Sequence, residues 1–425
     1  MSKIGAPFQQ KVEASLDQLT TEHGIPGAVF MAVDRRGAVL ASHSSGTIGK
    51  NQSTPMSADD TVFWIASCTK LITGIACMQL VEQGKISLDD ADALYAVLPE
   101  LRAKKVLAQD GKTLVDKERE ITLLMLLNHT AGFGYSFFNK RLNEYARPVG
   151  LDEFSGDARD VLDAPLVNQP GERWEYGTSI DWAGLAVERL SGQNLDAYFT
   201  QHIFQPLGIE NIRFFPTDTM RRNLAYLHQA TPDGAIHERD HLLRRSVSAS
   251  TAGERAQVMC AGGAGCFASA AEYAQVLAAV LNDGVSGKTG ARILAAETVA
   301  RMFGNTLPEW PDFGRVPTET QKPDLSSSFA EQYAQAGSPP QGWGITFLLS
   351  NLDGKGHAWR GRCAGNWSGV SNVYYWLDRE KGVAGVTAAQ VLPFGNAAVQ
   401  GAAERCERAV YAGLGLGGAV VEGAE

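Results

Sequence analysis

Along the opening stretch of the chain, apolar positions recur first at helical spacing and then in short continuous runs. Residues 8–22 read as an amphipathic helix. After Gly24-Ile25-Pro26-Gly27 come two runs rich in β-formers, Ala28–Val33 and Ala38–Ser42, with Asp34-Arg35-Arg36-Gly37 between them as a turn. The far end mirrors this: Gly344–Ser350, Val370–Leu377 and Gly382–Val391 predict strands, and Asn396–Leu414 predicts a closing helix. Between about 68 and 305 the pattern is mostly helical, broken by PLGI-type turns and Gly-rich loops. The simplest architecture is an α/β fold of the α+β sandwich type: an antiparallel sheet built from both chain ends, flanked by helices, with a mainly helical region inserted. One domain is expected overall, with residues 1–66 and 306–425 forming the sheet-containing part, 67–305 the helical part, and the active site at their interface. Pro308–Gly342, rich in Pro, Ser and Gln, predicts a long loop, which in compact domains often serves as a lid or binding loop.

Composition narrows the classes. With 425 residues, the chain can bury one large core plus a lobe, or two domains. A formal charge of −9 argues against nucleic acid or an anionic membrane as partner. The start of the sequence lacks the charged, apolar, small-residue order of a secretory signal. No apolar run of about 18 residues suggests a membrane span. An intracellular, cytoplasmic protein is expected. The six cysteines are scattered, without C-x-x-C or zinc-like spacing, and read as reduced, buried small residues. The eight histidines show no metal-ligand spacing, so neither a metal nor a cofactor is expected.

The chemistry concentrates in one ordered set. Trp64-Ile65-Ala66-Ser67-Cys68-Thr69-Lys70 precedes a run of helical spacing, Leu71–Val81. Ser67 and Lys70 are three apart, so on a helix they share a face. A serine at the helix N-terminus meets backbone N–H groups and the positive dipole end, which favour a developing negative charge. A lysine whose amine is neutral can accept the serine proton, provided burial or nearby cations lower its pKa. The motif alone is weak, because serine is a good N-cap and S-x-x-K arises by chance. Its companions add weight: Ile121–Gly132 with Asn128-His129-Thr130-Ala131, then Pro170-Gly171-Glu172-Arg173-Trp174-Glu175-Tyr176-Gly177-Thr178, then Asp181-Trp182-Ala183-Gly184, then Gly262-Gly263-Ala264-Gly265-Cys266-Phe267-Ala268-Ser269, and last Trp367-Ser368-Gly369 at the start of a strand.

Over roughly residues 10–412 this set resembles the serine β-lactamase and penicillin-binding-protein superfamily, whose signature is S-x-x-K, a tyrosine motif and a K-T-G-type strand motif. Within it the chain is most similar to the class C-like members, the family VIII carboxylesterases and the lovastatin-type acyltransferase; Trp174-x-Tyr176-Gly177-x-x-x-Asp181-Trp182-Ala183-Gly184 points to the acyltransferase branch. The resemblance implies Ser67 as nucleophile, Lys70 as its partner, Tyr176 as the second acid/base, and an oxyanion hole from the backbone N–H groups of Ser67 and Val370. Which of Lys70 and Tyr176 takes the first proton stays open. The resemblance also implies a substrate-binding role for Tyr135, Trp367, Ser368 and Gly369, with Tyr135 lining an acyl pocket.

The departures matter. True β-lactamases and transpeptidases usually show Tyr-x-Asn and Lys-Thr-Gly, whereas here Thr178 and Trp367 stand at the asparagine and lysine positions. The lost lysine helps hold a carboxylate; an indole there suits an apolar ester. A literal Lys288-Thr289-Gly290 lies in a Gly-rich turn and is read as a decoy. His129 is read as a buried, hydrogen-bonded structural residue rather than a base. No G-x-S-x-G elbow or complete P-loop is present.

The reading is a serine-dependent acyl-transfer enzyme with ping-pong chemistry, tilted toward a transesterase of secondary metabolism. The alternatives are a family VIII-type carboxylesterase, a weak β-lactamase, or a catalytically idle binding protein of the same fold; the intact Ser67, Lys70 and Tyr176 speak against the last. Expected partners are a small-molecule ester or thioester donor and a water or alcohol acceptor, with an acyl carrier protein as a further candidate donor, and neither nucleic acid nor membrane.

Overall fold

The computed structural model describes residues 1–314, 318–327, 340–354 and 359–416. Helix α1, Ala6–Thr21, buries Val12, Leu16 and Leu19 at helical spacing. The chain then forms the hairpin of β1, Gly27–Asp34, and β2, Val39–Gly46. Its turn is tied by the Asp34 carboxylate, which accepts from the N–H groups of Arg36 and Ala38 at 2.8 and 3.1 Å. The remaining strands of the main sheet come from the far end: β3 (Gly342–Trp343), β4 (Leu348–Ser350), β5 (Ala364–Gly369), β6 (Val373–Asp378) and β7 (Val383–Ala389). The seven strands run β3-β4-β5-β6-β7-β1-β2, antiparallel throughout, so the two chain ends meet where β7 pairs with β1. This is the antiparallel sheet from both ends that the pattern predicts.

Both faces of the sheet are covered, which is why every residue of β1 is buried rather than alternate ones. One face meets α1 and the closing helix α5, Ala397–Gly413, with Phe30, Ala32 and Trp376 packed against Val12, Leu16, Cys406 and Val410. The other face carries Val29, Met31, Tyr375 and Val386 into the largest core. There it meets α4, Ala270–Leu281, together with α2, Thr69–Glu82, and α3, Ser179–Ser191. In α2, every residue from Thr69 to Leu80 is buried. Among the described residues, no helix is long and apolar enough to cross a membrane.

Three strand boundaries differ from the pattern. Trp367-Ser368-Gly369 ends β5 instead of opening the strand at Val370, and Val370–Asn372 is the turn into β6. The residues of β5, Ala-Gly-Asn-Trp-Ser-Gly, carry no β-branched side chain, so the strand is nearly silent in the sequence. Of Gly344–Ser350 only Leu348–Ser350 is strand, as β4; the residues before it, with Thr346 at φ 71°, form the turn from β3. Gly382–Val391 stops at Ala389; Gln390 turns its side chain to the Trp64 carbonyl, and Val391–Leu392 joins a separate three-stranded sheet. Within the predicted loop Pro308–Gly342, residues 315–317 and 328–339 lie outside the described residues.

Candidate active site

Ser67 lies on a single helical turn, Ala66–Cys68, that leads into α2. Ala66 takes φ 43°, a left-handed conformation costing a non-glycine residue on the order of 1–2 kcal/mol. The surroundings hold it there. Ile65 N–H donates to the Cys266 carbonyl at 3.0 Å, Cys266 N–H to Thr69 Oγ1 at 3.0 Å, and Tyr273 OH to the Cys68 carbonyl at 2.9 Å. The end of β5 presses on the same turn: a Cβ on Gly369 would sit 2.4 Å from the Ile65 carbonyl oxygen, so only glycine fits. Val370 follows immediately, buried in one cluster with Ala66 and Tyr135. The S-x-x-K segment and the Trp-Ser-Gly segment, some three hundred residues apart in sequence, are thus in van der Waals contact.

Lys70, the second residue of α2, is fully buried. Its ammonium nitrogen donates to Ser67 Oγ at 3.0 Å, to the Gly263 carbonyl at 2.7 Å and to the Tyr135 hydroxyl at 3.2 Å. It also lies 4.8 Å from the ring centre of Tyr176 and 5.5 Å from that of Tyr135. Burial pulls the Lys70 pKa down from 10.5 to about 7, against the opposing attraction of Asp181. At neutral pH a large fraction of this amine is therefore uncharged. Tyr176 moves the other way: burial raises its phenol, and hydrogen bonds from Ser67 and Trp367 draw it back. The Trp367 indole N–H donates to the Tyr176 oxygen at 3.0 Å.

The structure thus brings Ser67, Lys70, Tyr176, Tyr135, Trp367 and Gly369 together. Tyr135 reaches the lysine amine directly, and its ring stacks on Phe137 at 4.7 Å. Ser368 is half-buried on β5 opposite Tyr374. The decoy Lys288-Thr289-Gly290 spends its polar groups elsewhere, Lys288 on the Gly208 carbonyl and Thr289 on the Pro206 carbonyl. His129 is buried, but neither ring nitrogen has a hydrogen-bond partner, which corrects the expectation of a hydrogen-bonded side chain. The cause is its packing: the ring is enclosed by Tyr176, Trp343 and Trp174 at 4.9, 5.4 and 6.1 Å. Burial, with help from Lys70, pushes its pKa well below 6.5, so it stays neutral. Within the Phe133–Phe138 run, Phe133 turns into the core against Trp182 at 5.5 Å, while Phe138 faces Tyr176 at 6.3 Å. A wall of Trp174, Trp343 and Phe313 stands beside Trp367, with Trp343–Trp367 at 4.8 Å and Trp174–Phe313 at 5.2 Å.

Asp181 and Gly263 carry no assigned role in the sequence reading, yet Gly263 bonds the lysine through its carbonyl and Asp181 is joined to it through the Gly263 peptide. Asp181, in the first turn of α3, is buried, and its Oδ1 accepts the Gly263 N–H at 2.9 Å. A signal existed: Asp181 leads directly into the apolar run Trp182–Val187, where a buried carboxylate needs a partner, and paired glycines mark close backbone approach. Among the described residues, no group of three or more His, Cys, Asp or Glu is placed to hold a metal ion. The six cysteines are free.

Comparison with known proteins gives a consistent picture. A family profile described as Beta-lactamase matches residues 9–406. A lovastatin esterase of Penicillium rubens is 33% identical over 386 residues, covering 87% of this chain and 90% of that one. A monacolin J acid methylbutanoyltransferase of Aspergillus terreus is 29% identical, covering 94% and 95%. A mutant simvastatin synthase from Aspergillus terreus superposes with a TM-score of 0.77 at 28% identity, over 96% of this chain and 95% of that one.

Proposed function

The chain belongs to the Beta-lactamase family, and from that premise we propose that it is a serine-dependent acyl-transfer enzyme acting on small-molecule esters or thioesters. The observation that carries the reading is the 3.0 Å hydrogen bond between Lys70 and Ser67, made by an amine that burial brings to about 7. The neutral amine takes the Ser67 proton as Oγ attacks the acyl carbonyl carbon. The negative charge moves to the carbonyl oxygen, where the backbone N–H groups of Ser67 and Val370 stabilise it. Tyr176, protonated at neutral pH, gives its proton to the departing oxygen or sulfur, and Lys70 reprotonates the phenolate across the same cluster. The acyl–Ser67 ester then forms as the leaving group departs. Deacylation runs the steps in reverse, with water or an alcohol as the nucleophile.

Acyl transfer in secondary metabolism is the preferred reading, with a cytoplasmic setting and an alcohol acceptor. The similarity to a monacolin J acid methylbutanoyltransferase over nearly the whole chain supports it. Plain ester hydrolysis is the second reading, favoured by the similarity to a lovastatin esterase. Both use one acyl-enzyme. The test is an adduct on Ser67: a fluorophosphonate should add one mass label to the protein, on the peptide containing Ser67, and Ser67→Ala should lose both the label and p-nitrophenyl ester hydrolysis while keeping its fold. A labelled Ser67→Ala protein with near-native turnover would overturn the assignment.

A further inference from the structure

Two helices grip the Gly262-Gly263 loop from opposite sides. From α2, Thr73 Oγ1 donates to the Gly262 carbonyl at 2.7 Å, and Lys70, one turn earlier, donates to the Gly263 carbonyl at 2.7 Å. From α3, Asp181 takes the Gly263 N–H at 2.9 Å. The fit leaves no slack. A Cβ on Gly263 would lie 2.5 Å from Asp181 Oδ2, and one on Gly262 would lie 3.0 Å from the Ile180 carbonyl oxygen. The Gly263 backbone is therefore a strut with the carboxylate at its N–H and the lysine amine at its C=O. Burying a carboxylate without a counter-charge costs several kcal/mol, and the catalytic cluster holds one cation that faces it, Lys70.

We propose that Asp181 is a positioning residue, which fixes the Lys70 amine against Ser67 and sets the pH at which that amine can take the serine proton. The inference rests on Lys70 being the proton acceptor. The titratable groups around the pair are few. Lys70 is faced by Cys68 on its own segment, by Tyr135, Tyr176 and His129 from the loops, and by Asp181 from α3. Asp181 is faced by Lys70, by the phenols of Tyr135 and Tyr176, and by Glu153 as a like charge. Glu153 has its own partner, Lys322, at 3.6 Å. Burial raises the Asp181 carboxyl to about 6, with Lys70 and the Gly263 N–H pulling it back, so above that pH it is an anion that holds the proton on Lys70. Removing the charge must lower the lysine pKa, and the neutral, reactive amine must then appear at lower pH.

The experiment follows the rate of fluorophosphonate labelling at Ser67 against pH, in wild type and in Asp181→Asn. The asparagine keeps an acceptor for the Gly263 N–H and loses only the charge. The midpoint of the rising limb is expected to move down by about one pH unit or more, the usual effect of losing a nearby opposite charge. An unmoved midpoint, even with a lower plateau, means a purely structural Asp181 and overturns the inference. A wild-type protein that never labels at Ser67 overturns the acyl-enzyme reading itself, and this inference with it; the two failures are told apart by wild type alone. Should the variant not fold, wild-type protein carrying 13C-aspartate and 15N-lysine answers the same question by NMR. Lys70 amine and Asp181 carboxyl signals that each record the other's titration support the coupling, and a Lys70 amine that titrates alone overturns it.

Discussion

Trp367 donates its indole N–H to the phenol oxygen of Tyr176 at 3.0 Å, across the gap between β5 and the loop that precedes α3. The residue standing where the resemblance to β-lactamases places a lysine is therefore turned toward the Ser67–Lys70–Tyr176 cluster. Its ring centre lies 5.1 Å from that of Tyr176. A neutral donor in this place stabilises negative charge on the tyrosine oxygen without offering a cation to the substrate.

Trp367→Phe keeps most of the apolar surface and removes that donor. A net hydrogen bond is worth about 0.5–1.5 kcal/mol, so kcat for a simple ester should fall by about 2–10-fold with KM little changed. Steady-state kinetics on p-nitrophenyl butyrate decide this. A large rise in KM at constant kcat would show that Trp367 binds substrate and leaves Tyr176 alone.

Lys70 and Tyr176 should fail together. Positioned acid/base groups contribute about 10²–10⁴-fold, so Tyr176→Phe should lose at least that range in kcat and Lys70→Ala as much or more. The double variant should be no worse than the poorer single one, since the groups act as a unit. The pH profile carries a sign as well. If the base is the uncharged amine, as proposed, kcat/KM should rise with pH through about 7, the value that burial gives Lys70. A rate that falls through that pH would make the protonated lysine the active form and hand the first proton to Tyr176.

The absence of a cation from position 367 bears on substrate choice. A β-lactam presents a carboxylate that β-lactamases meet with a charged group, whereas here the position holds the Trp367 indole, packed against Trp343 and Trp174. Nitrocefin turnover should be weak or absent, and uncharged apolar esters should be turned over well. Comparing kcat/KM for benzylpenicillin and for a p-nitrophenyl ester checks it; a higher value for the penicillin reverses the reading. Trp367→Lys alone should not create a lactamase, because Thr178 also replaces the usual asparagine and its hydroxyl is buried without a partner.

Much of this was legible in the residues. The terminal helix and hairpin announce themselves through helical spacing and β-rich runs, and Ser67, Lys70 and Tyr176 stand in motifs whose order along the chain is itself a signal. Strand β5 was not legible, because its glycines and polar residues owe their strand conformation to the neighbours on both sides and to contact with the Ser67 turn. Asp181 stands inside the Asp181-Trp182-Ala183-Gly184 motif, but its partner is the Gly263 backbone, some eighty residues away, and periodicity carries no trace of such a pairing. The Trp367–Tyr176 bond was hidden for the same reason: a tryptophan reads as apolar until its one N–H is located.

Hydrolase and transferase differ in how well the acyl-enzyme is kept from water. Outward from the Ser67 cluster the aromatic side chains pack into a wall: Tyr176 and Trp367, then Trp174, Trp343 and Phe313, with Phe138 also against Tyr176. The indole N–H of Trp174 is buried there without a partner, a polar handle within an apolar wall. Such a wall favours a bulky apolar alcohol over water, since apolar surface buried on binding contributes about 25 cal/mol per Å². With an acyl thioester as donor, rising concentrations of a polycyclic or long-chain alcohol should therefore raise the fraction of new ester and lower that of free acid, measured by chromatography at fixed enzyme. Trp174→Ala should shift the partition back toward acid while leaving the rate of Ser67 acylation by a small ester within a few-fold of wild type. Free acid as the sole product across a broad panel of alcohols would remove the support for transfer and leave a carboxylesterase.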